Sequence, residues 1–169
     1  NITIATAQFR EIYRGTNSND NIEGMSFISP STGFVAFNNF IGFTTDSGRT
    51  YIHRTVDYSN TDYNGYSVNL TFGFIAKGVI AFSIDSVFAT GHFGTEPSIL
   101  FSSNQGQSWK LVFHKNYNAG ASAYNEGITD IKFPGNGKTG FAVHHEEVIK
   151  TTDRGQTWVT ALSVPNGRL

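Results

Sequence analysis

Thr151-Thr152-Asp153-Arg154-Gly155-Gln156-Thr157-Trp158 is the clearest of three related octapeptides in this chain. The other two are Thr44-Thr45-Asp46-Ser47-Gly48-Arg49-Thr50-Tyr51 and Ser102-Ser103-Asn104-Gln105-Gly106-Gln107-Ser108-Trp109. They recur at roughly 50-residue intervals, the period of stacked supersecondary units. Each octapeptide reads as a turn. The Asp or Asn at its third position accepts hydrogen bonds from backbone N–H groups further along the turn. Gly48, Gly106 and Gly155 supply the positive φ of a tight hairpin. The flanking hydroxyls tie the turn down, and Tyr51, Trp109 and Trp158 fill the gap between neighbouring sheets.

Working outward from the turns, each unit shows the same order. A short strand passes through Phe27, Phe82 or Phe133, and after a turn a second passes through Phe34, Phe88 or Phe141. A third strand enters the octapeptide (Ile41 to Thr44, Ile99 to Ser102, Val148 to Thr151). A fourth leaves it (Thr50 to Thr55, Ser108 to Phe113, Thr157 to Leu162). Four short antiparallel strands in a unit of about 40–50 residues is the signature of a propeller blade. The expected blades cover about 22–56, 78–114 and 127–163. An additional half-buried strand is expected at about 67–75, where Val68, Leu70, Phe72 and Phe74 alternate with smaller or polar residues.

The octapeptides are similar to Asp-box, or BNR, repeats, of the form Ser/Thr-x-Asp-x-Gly-x-Thr/Ser-Trp/Phe/Tyr. Such repeats occur in sialidases, some other glycoside hydrolases, sortilin-type receptors and propellers resembling photosystem II assembly factors. Asn104 and Tyr51 are the departures from the pattern. The resemblance implies an all-β propeller of four-stranded antiparallel blades, with the boxes as structural turns on the outer part of each blade. On that reading Asp46, Gly48, Tyr51, Asn104, Gly106, Trp109, Asp153, Gly155 and Trp158 hold the fold and take no part in chemistry. Ala7 to Tyr13 reads as a lone N-terminal strand that completes the last blade of a ring. Three blades are too few for a ring of ~4–8. The expectation is therefore an incomplete ring or part of a larger propeller, with further blades from the same protein or from self-association.

Composition agrees with this class. The 18 Gly and 15 Phe favour strands and turns over helices. No apolar run reaches the ~18 residues of a membrane helix, so no membrane insertion is expected. A net charge of −1 gives no positive excess for a phosphate backbone, so nucleic acid is not an expected partner. The absence of Cys removes disulfides, thiolate nucleophiles and thiolate metal sites. It suits the cytosol or an exported protein without disulfides. The chain opens on Asn1 with no signal-peptide pattern, the expected sign of a processing point or of the edge of a longer polypeptide.

The long segments fall on the rim opposite the octapeptides. Thr55 to Tyr66 joins the first two blades, Lys115 to Glu126 joins the second and third, and Thr90 to Pro97 enlarges the second blade. Five of the seven tyrosines lie in the two inter-blade links, beside Asn, Asp and Glu. That mixture stacks on sugar rings and also suits protein-binding surfaces. Tyr58, Tyr63, Tyr66, His92, Tyr117, Tyr124 and Glu126 are the candidate ligand-binding residues.

No catalytic residue is assigned. Sialidases resembling this pattern carry an Arg in a Phe/Tyr-Arg-Ile-Pro segment, from which Phe9-Arg10-Glu11-Ile12 departs. The arginine patch expected of the photosystem-type relatives is also missing. The run His144-His145-Glu146-Glu147 reads as a solvated turn, because neighbouring strand residues face opposite ways and do not converge on a metal. No metal and no cofactor are expected. Asn1-Ile2-Thr3 and Asn69-Leu70-Thr71 match the glycosylation acceptor only as often as an Asn-rich chain would by chance. The reading favoured is a non-catalytic module, secreted, periplasmic or on the cell surface, that binds a protein or carbohydrate ligand through its inter-blade loops. The alternative is part of a sialidase-like or other glycoside hydrolase propeller, with a carboxylate pair such as Asp62 and Glu126.

Overall fold

In the computed structural model the described residues are 21–56, 62–63, 66–67, 73–115, 127–135, 137–145 and 147–164, with backbone alone at 62–63 and 66–67. Three four-stranded antiparallel meanders account for most of them. The first blade is β1 (Ile22–Phe27), β2 (Gly33–Phe37), β3 (Phe40–Thr44) and β4 (Ile52–Arg54). Asp62–Tyr63 and Tyr66–Ser67 form the ribbon β5–β6, with β5 lying against the fourth strand of the second blade. That second blade is β7 (Phe74–Ser83), β8 (Ser86–Phe93), β9 (Glu96–Ser102) and β10 (Lys110–His114). The third is β11 (Asp130–Lys132), β12 (Gly140–His144), β13 (Glu147–Thr151) and β14 (Val159–Ser163).

Phe74 and Ile75, at the end of the additional strand read from the sequence, begin β7. Most of that strand, like the N-terminal strand Ala7 to Tyr13, lies outside the described residues. The segment Thr90 to Pro97 extends the hairpin of the second blade. β8 and β9 have 8 and 7 residues, whereas β2, β3, β12 and β13 have 5 each.

Register explains how the blades stack. Gly33, Val87 and Gly140 pair with Thr44, Ser102 and Thr151, the first residue of each octapeptide. The next residue, a Phe in all three blades, faces the following blade. Phe34 is 0% exposed in the core shared by blades one and two, and Phe88 is 1% exposed in the core shared by blades two and three. Phe141, at the matching place in blade three, is 37% exposed, with Val159 and Leu162 exposed beside it. The chemistry is the same in all three blades. The third simply presents this face without a neighbour among the described residues.

The octapeptides form one turn built three times. Thr44 Oγ1 donates to Asp46 Oδ1 at 2.9 Å and accepts from Gly48 N at 3.0 Å. Thr50 N and Thr50 Oγ1 donate to the two oxygens of Asp46 at 2.9 and 2.7 Å. Thr151, Asp153, Gly155 and Thr157 repeat the pattern. Asn104 keeps the backbone bond from Ser108 N at 2.9 Å but reverses the other, its Nδ2 donating to Ser108 Oγ. The amide therefore replaces the carboxylate by swapping donor and acceptor. Positive φ falls on two successive residues in each turn: Ser47 and Gly48, Gln105 and Gly106, Arg154 and Gly155.

These bonds also set the carboxyl groups. Asp46 is held down at about 2, chiefly by the Thr50 hydroxyl and then by the Thr50 amide. At Asp153 slight burial pushes the other way, and the bonds from Thr157 and Thr151 outweigh it. The two eighth-position tryptophans pack on the preceding blade, Trp109 in the first shared core and Trp158 in the second. Trp158 Nε1 donates to Gly155 O at 3.1 Å, whereas Trp109 Nε1 is buried with no partner among the described residues. Trp158→Phe should cost about 1 kcal/mol more than Trp109→Phe, which removes an unpaired donor instead of a made bond. Urea denaturation of the two variants measures the difference.

Candidate functional site

The two rims of the structure have different characters. Ser47 N donates to Ser31 O, and Arg154 N to Lys138 O, each at 2.9 Å. The first and third octapeptides are thus bound to the turns between first and second strands, and in all three the Asp or Asn and the flanking hydroxyls are hydrogen-bonded within the turn. The opposite rim carries the hairpins between second and third strands and the ends of the inter-blade links. There Ala76 N donates to Asn38 O, Lys115 N to Pro97 O, Ile128 N to Gly91 O and Thr129 N to Val143 O, at 2.9–3.2 Å. Each bond ties a link end to a hairpin, so this link rim is built as a connected surface.

The first strands of the three blades converge on a cleft of about 370 Å³. That is within the ~300–1,000 Å³ typical of ligand clefts. Glu23 and Ser26 reach it from β1, Lys77 from β7, Thr90 from β8, and Asp130 and Lys132 from β11. Glu23 and Lys77 pair at 3.3 Å, and Asp130 and Lys132 at 2.7 Å. Register places Glu23, Lys77 and Asp130 toward the link rim. Glu23 follows Ile22, which pairs with Phe37, Lys77 follows Ala76, and Asp130 pairs with Val143. The cleft was not legible in the sequence. Its only signal is a charged residue early in the first strand of each blade, which gains meaning once the three strands share an axis.

The sequence-predicted ligand residues fall as follows. Tyr58, Tyr117, Tyr124 and Glu126 lie outside the described residues. Tyr63 and Tyr66 are opposite each other in the β5–β6 ribbon. His92 is buried, with its Nδ1 against Gly94 O at the tip of the extended hairpin. The nine octapeptide residues lie in or beside the three turns, on the rim away from the links.

Sequence reasoning missed two buried polar clusters under the link rim. His144 ends β12 and Glu147 begins β13, at the turn expected, but these two residues are not solvated as the sequence reading implies. His144 is 0% exposed and Glu147 8%. Alternation sends His144 toward blade two, where its ring packs near Phe113 and its Nε2 lies 3.2 Å from Glu147 Oε2. Lys115, at the end of β10, closes on the other oxygen of Glu147. One carboxylate thereby joins blades two and three. Within blade two, His114 Nδ1 meets Ser98 Oγ at 3.0 Å and its Nε2 lies 3.3 Å from Glu96 Oε2. Ser98 is fully buried, so this Ser-His-Glu line is a structural tie and not a nucleophile with access to substrate. Burial pushes His114 down and Glu96 up, both toward their uncharged forms. The contact is therefore better described as a hydrogen bond than as an ion pair.

Burial also lowers His92 and His144, in the latter against the opposing pull of Glu147. For a base with a depressed folded-state pKa, the unfolded chain takes up protons first as pH falls. Stability is then full above the unfolded value near 6.5 and declines below it. A urea midpoint lower at pH 5.5 than at pH 7.5 is the expected result, and equal midpoints would contradict it. Among the described residues no three His, Asp or Glu side chains come together as a metal would require. No helix of the described chain is long and apolar enough to cross a membrane.

No protein-family model matches the chain, and no curated protein matches it. Solved structures do. YCF48 bound to a D1 peptide is similar at 22% identity and a TM-score of 0.56, over 84% of this chain and 40% of that one. The Niastella koreensis GH74 enzyme is similar at 17% identity and a TM-score of 0.54, over 82% and 22%. An ancestral GH74 enzyme is similar at 15% identity and a TM-score of 0.57, over 85% and 19%. The chain carries three blades of a β-propeller. It spans two fifths or less of the length of these neighbours, and identities this low carry the fold alone.

Proposed function

We propose that this chain is a non-catalytic Asp-box propeller module, exported or surface-associated, that binds a protein partner through its link rim. The observation that carries the reading is the division of labour between rims. On the octapeptide rim the Asp or Asn and the flanking hydroxyls bond within their own turns. The link rim carries the described ends of the inter-blade links, the extended hairpin of blade two and the link-side ends of the three first strands. Tyr58, Tyr63, Tyr66, Tyr117, Tyr124 and Glu126 form the contact surface in this proposal, and buried His92 steadies the Gly94 turn beneath it. A protein partner is preferred to a glycan because one similar propeller, YCF48, is bound to a peptide.

Peptide and glycan arrays probed with the purified chain test the proposal. Capture of peptides that is lost in Tyr63→Ala and Tyr117→Ala, and kept in the opposite-rim variant Arg49→Ala, is the expected result. Binding indifferent to both tyrosines would discard the surface. Turnover of a fluorogenic glycoside, abolished by Glu126→Gln, would replace the binding reading with the glycoside hydrolase one.

A further inference from the structure

The cleft at the inner end of the link rim has a charge layout that names a ligand class, on the assumption that this rim binds a protein. Its charged side chains are two lysines and two carboxylates, arranged as two ion pairs. Glu23–Lys77 bridges β1 and β7, and Asp130–Lys132 lies along β11. All four side chains are partly exposed. Ion pairs of that kind are worth only about 0–1 kcal/mol, so they open at little cost. Each ammonium carries three donors, and each carboxylate has two oxygens. Glu23 Oε2 and Asp130 Oδ2 accept no hydrogen bond from the described residues.

We infer that this cleft receives an extended peptide segment bearing one cationic and one anionic side chain, which exchange into the Glu23–Lys77 and Asp130–Lys132 pairs. A polyanion, or a peptide of one sign, meets one repulsive group for every attractive one, and the layout selects against both. A neutral glycan brings no charge to exchange. Addition of a strand to the inner edges is disfavoured, because several of their amides are already taken. Ala76 N donates to Asn38 O, Ala81 N to Ser26 Oγ and Ile131 N to Asp130 Oδ1. Recognition in the cleft is therefore by side-chain charge.

The test is fluorescence anisotropy on the 169-residue chain with a labelled peptide of alternating Lys, Gly and Glu. An all-Lys peptide, an all-Glu peptide and a neutral glucose oligomer serve as competitors. The mixed peptide should bind at least about tenfold more tightly than either single-sign peptide. Glu23→Gln and Lys132→Gln should each weaken it by about tenfold, with unchanged circular dichroism, whereas Lys110→Gln on the outer strand β10 should have no effect. Equal affinity for all the peptides, no binding of the mixed peptide, or preference for the glucose oligomer overturns the inference. Binding of the mixed peptide that ignores the cleft variants yet is lost in Tyr63→Ala and Tyr117→Ala also overturns it, while leaving the rim reading intact.

Discussion

Replacing Glu147 by Ala is expected to lower the unfolding free energy by about 3–5 kcal/mol, the range for breaking a buried charge pair from one side. Glu147 touches both sides of the joint between blades two and three under the link rim. Its carboxylate takes Lys115, just past the end of β10, while His144 and the Thr160 hydroxyl approach from its own blade. Without it, His144 stays fully buried with a ring nitrogen facing the vacated space. Lys115 is about one third exposed and can turn to water, so the effect belongs at the lower end of the range. Glu147→Gln keeps the shape and some hydrogen bonding and should lose less. The informative comparison is the double variant Lys115→Met, Glu147→Leu, which removes both charges and fills the space with apolar atoms. Such replacements are often neutral or stabilising. The double variant should therefore recover much of the loss, with a coupling energy of about 1–3 kcal/mol in the cycle. Additive losses would show that the two groups do not act as a pair.

The same cluster shows where a sequence stops being readable. The octapeptides were legible because their chemistry is local. Asp46 and Asp153 find their partners four residues on, and each turn closes within eight residues. The meanders were legible for a related reason, since each strand pairs with the next. Contacts between blades have no such local mark. His144 and His145 are neighbours with the same side chain, yet only the first is sent into the joint, and which one depends on the position of blade two. Phe34, Phe88 and Phe141 look equivalent in the chain and are equivalent in register. They differ only in whether another sheet lies across them. Glu23, Lys77 and Asp130 likewise read as ordinary charges on short strands until three first strands are brought to one axis.

Gly155→Ala should destabilise the chain by roughly 2–5 kcal/mol, and Gly135→Ala by only about 1–2, although both residues have positive φ (79° and 66°). The backbone term is common to the two, since an L side chain in the left-handed region costs about 1–2 kcal/mol. The surroundings separate them. A Cβ at Gly155 would stand 2.6 Å from the ring of Phe88 and 3.3 Å from that of Phe133, whereas one at Gly135 would meet nothing within 4 Å among the described residues. Phe88 cannot give way, because it is 1% exposed and packed against Phe82, Phe101 and Phe133. Overfilling a core of this kind adds about 1–3 kcal/mol. Gly106→Ala should fall between the two. Its nearest side-chain atoms are Trp109 at 3.1 Å and the flexible stem of Arg54 at 3.2 Å, and the latter can shift. Urea midpoints for the three variants should follow the order Gly135, Gly106, Gly155, from least to most destabilised. Equal losses would mean that the octapeptide glycine serves only its backbone angle, and that the close seating of the second and third turns on the preceding blade contributes nothing.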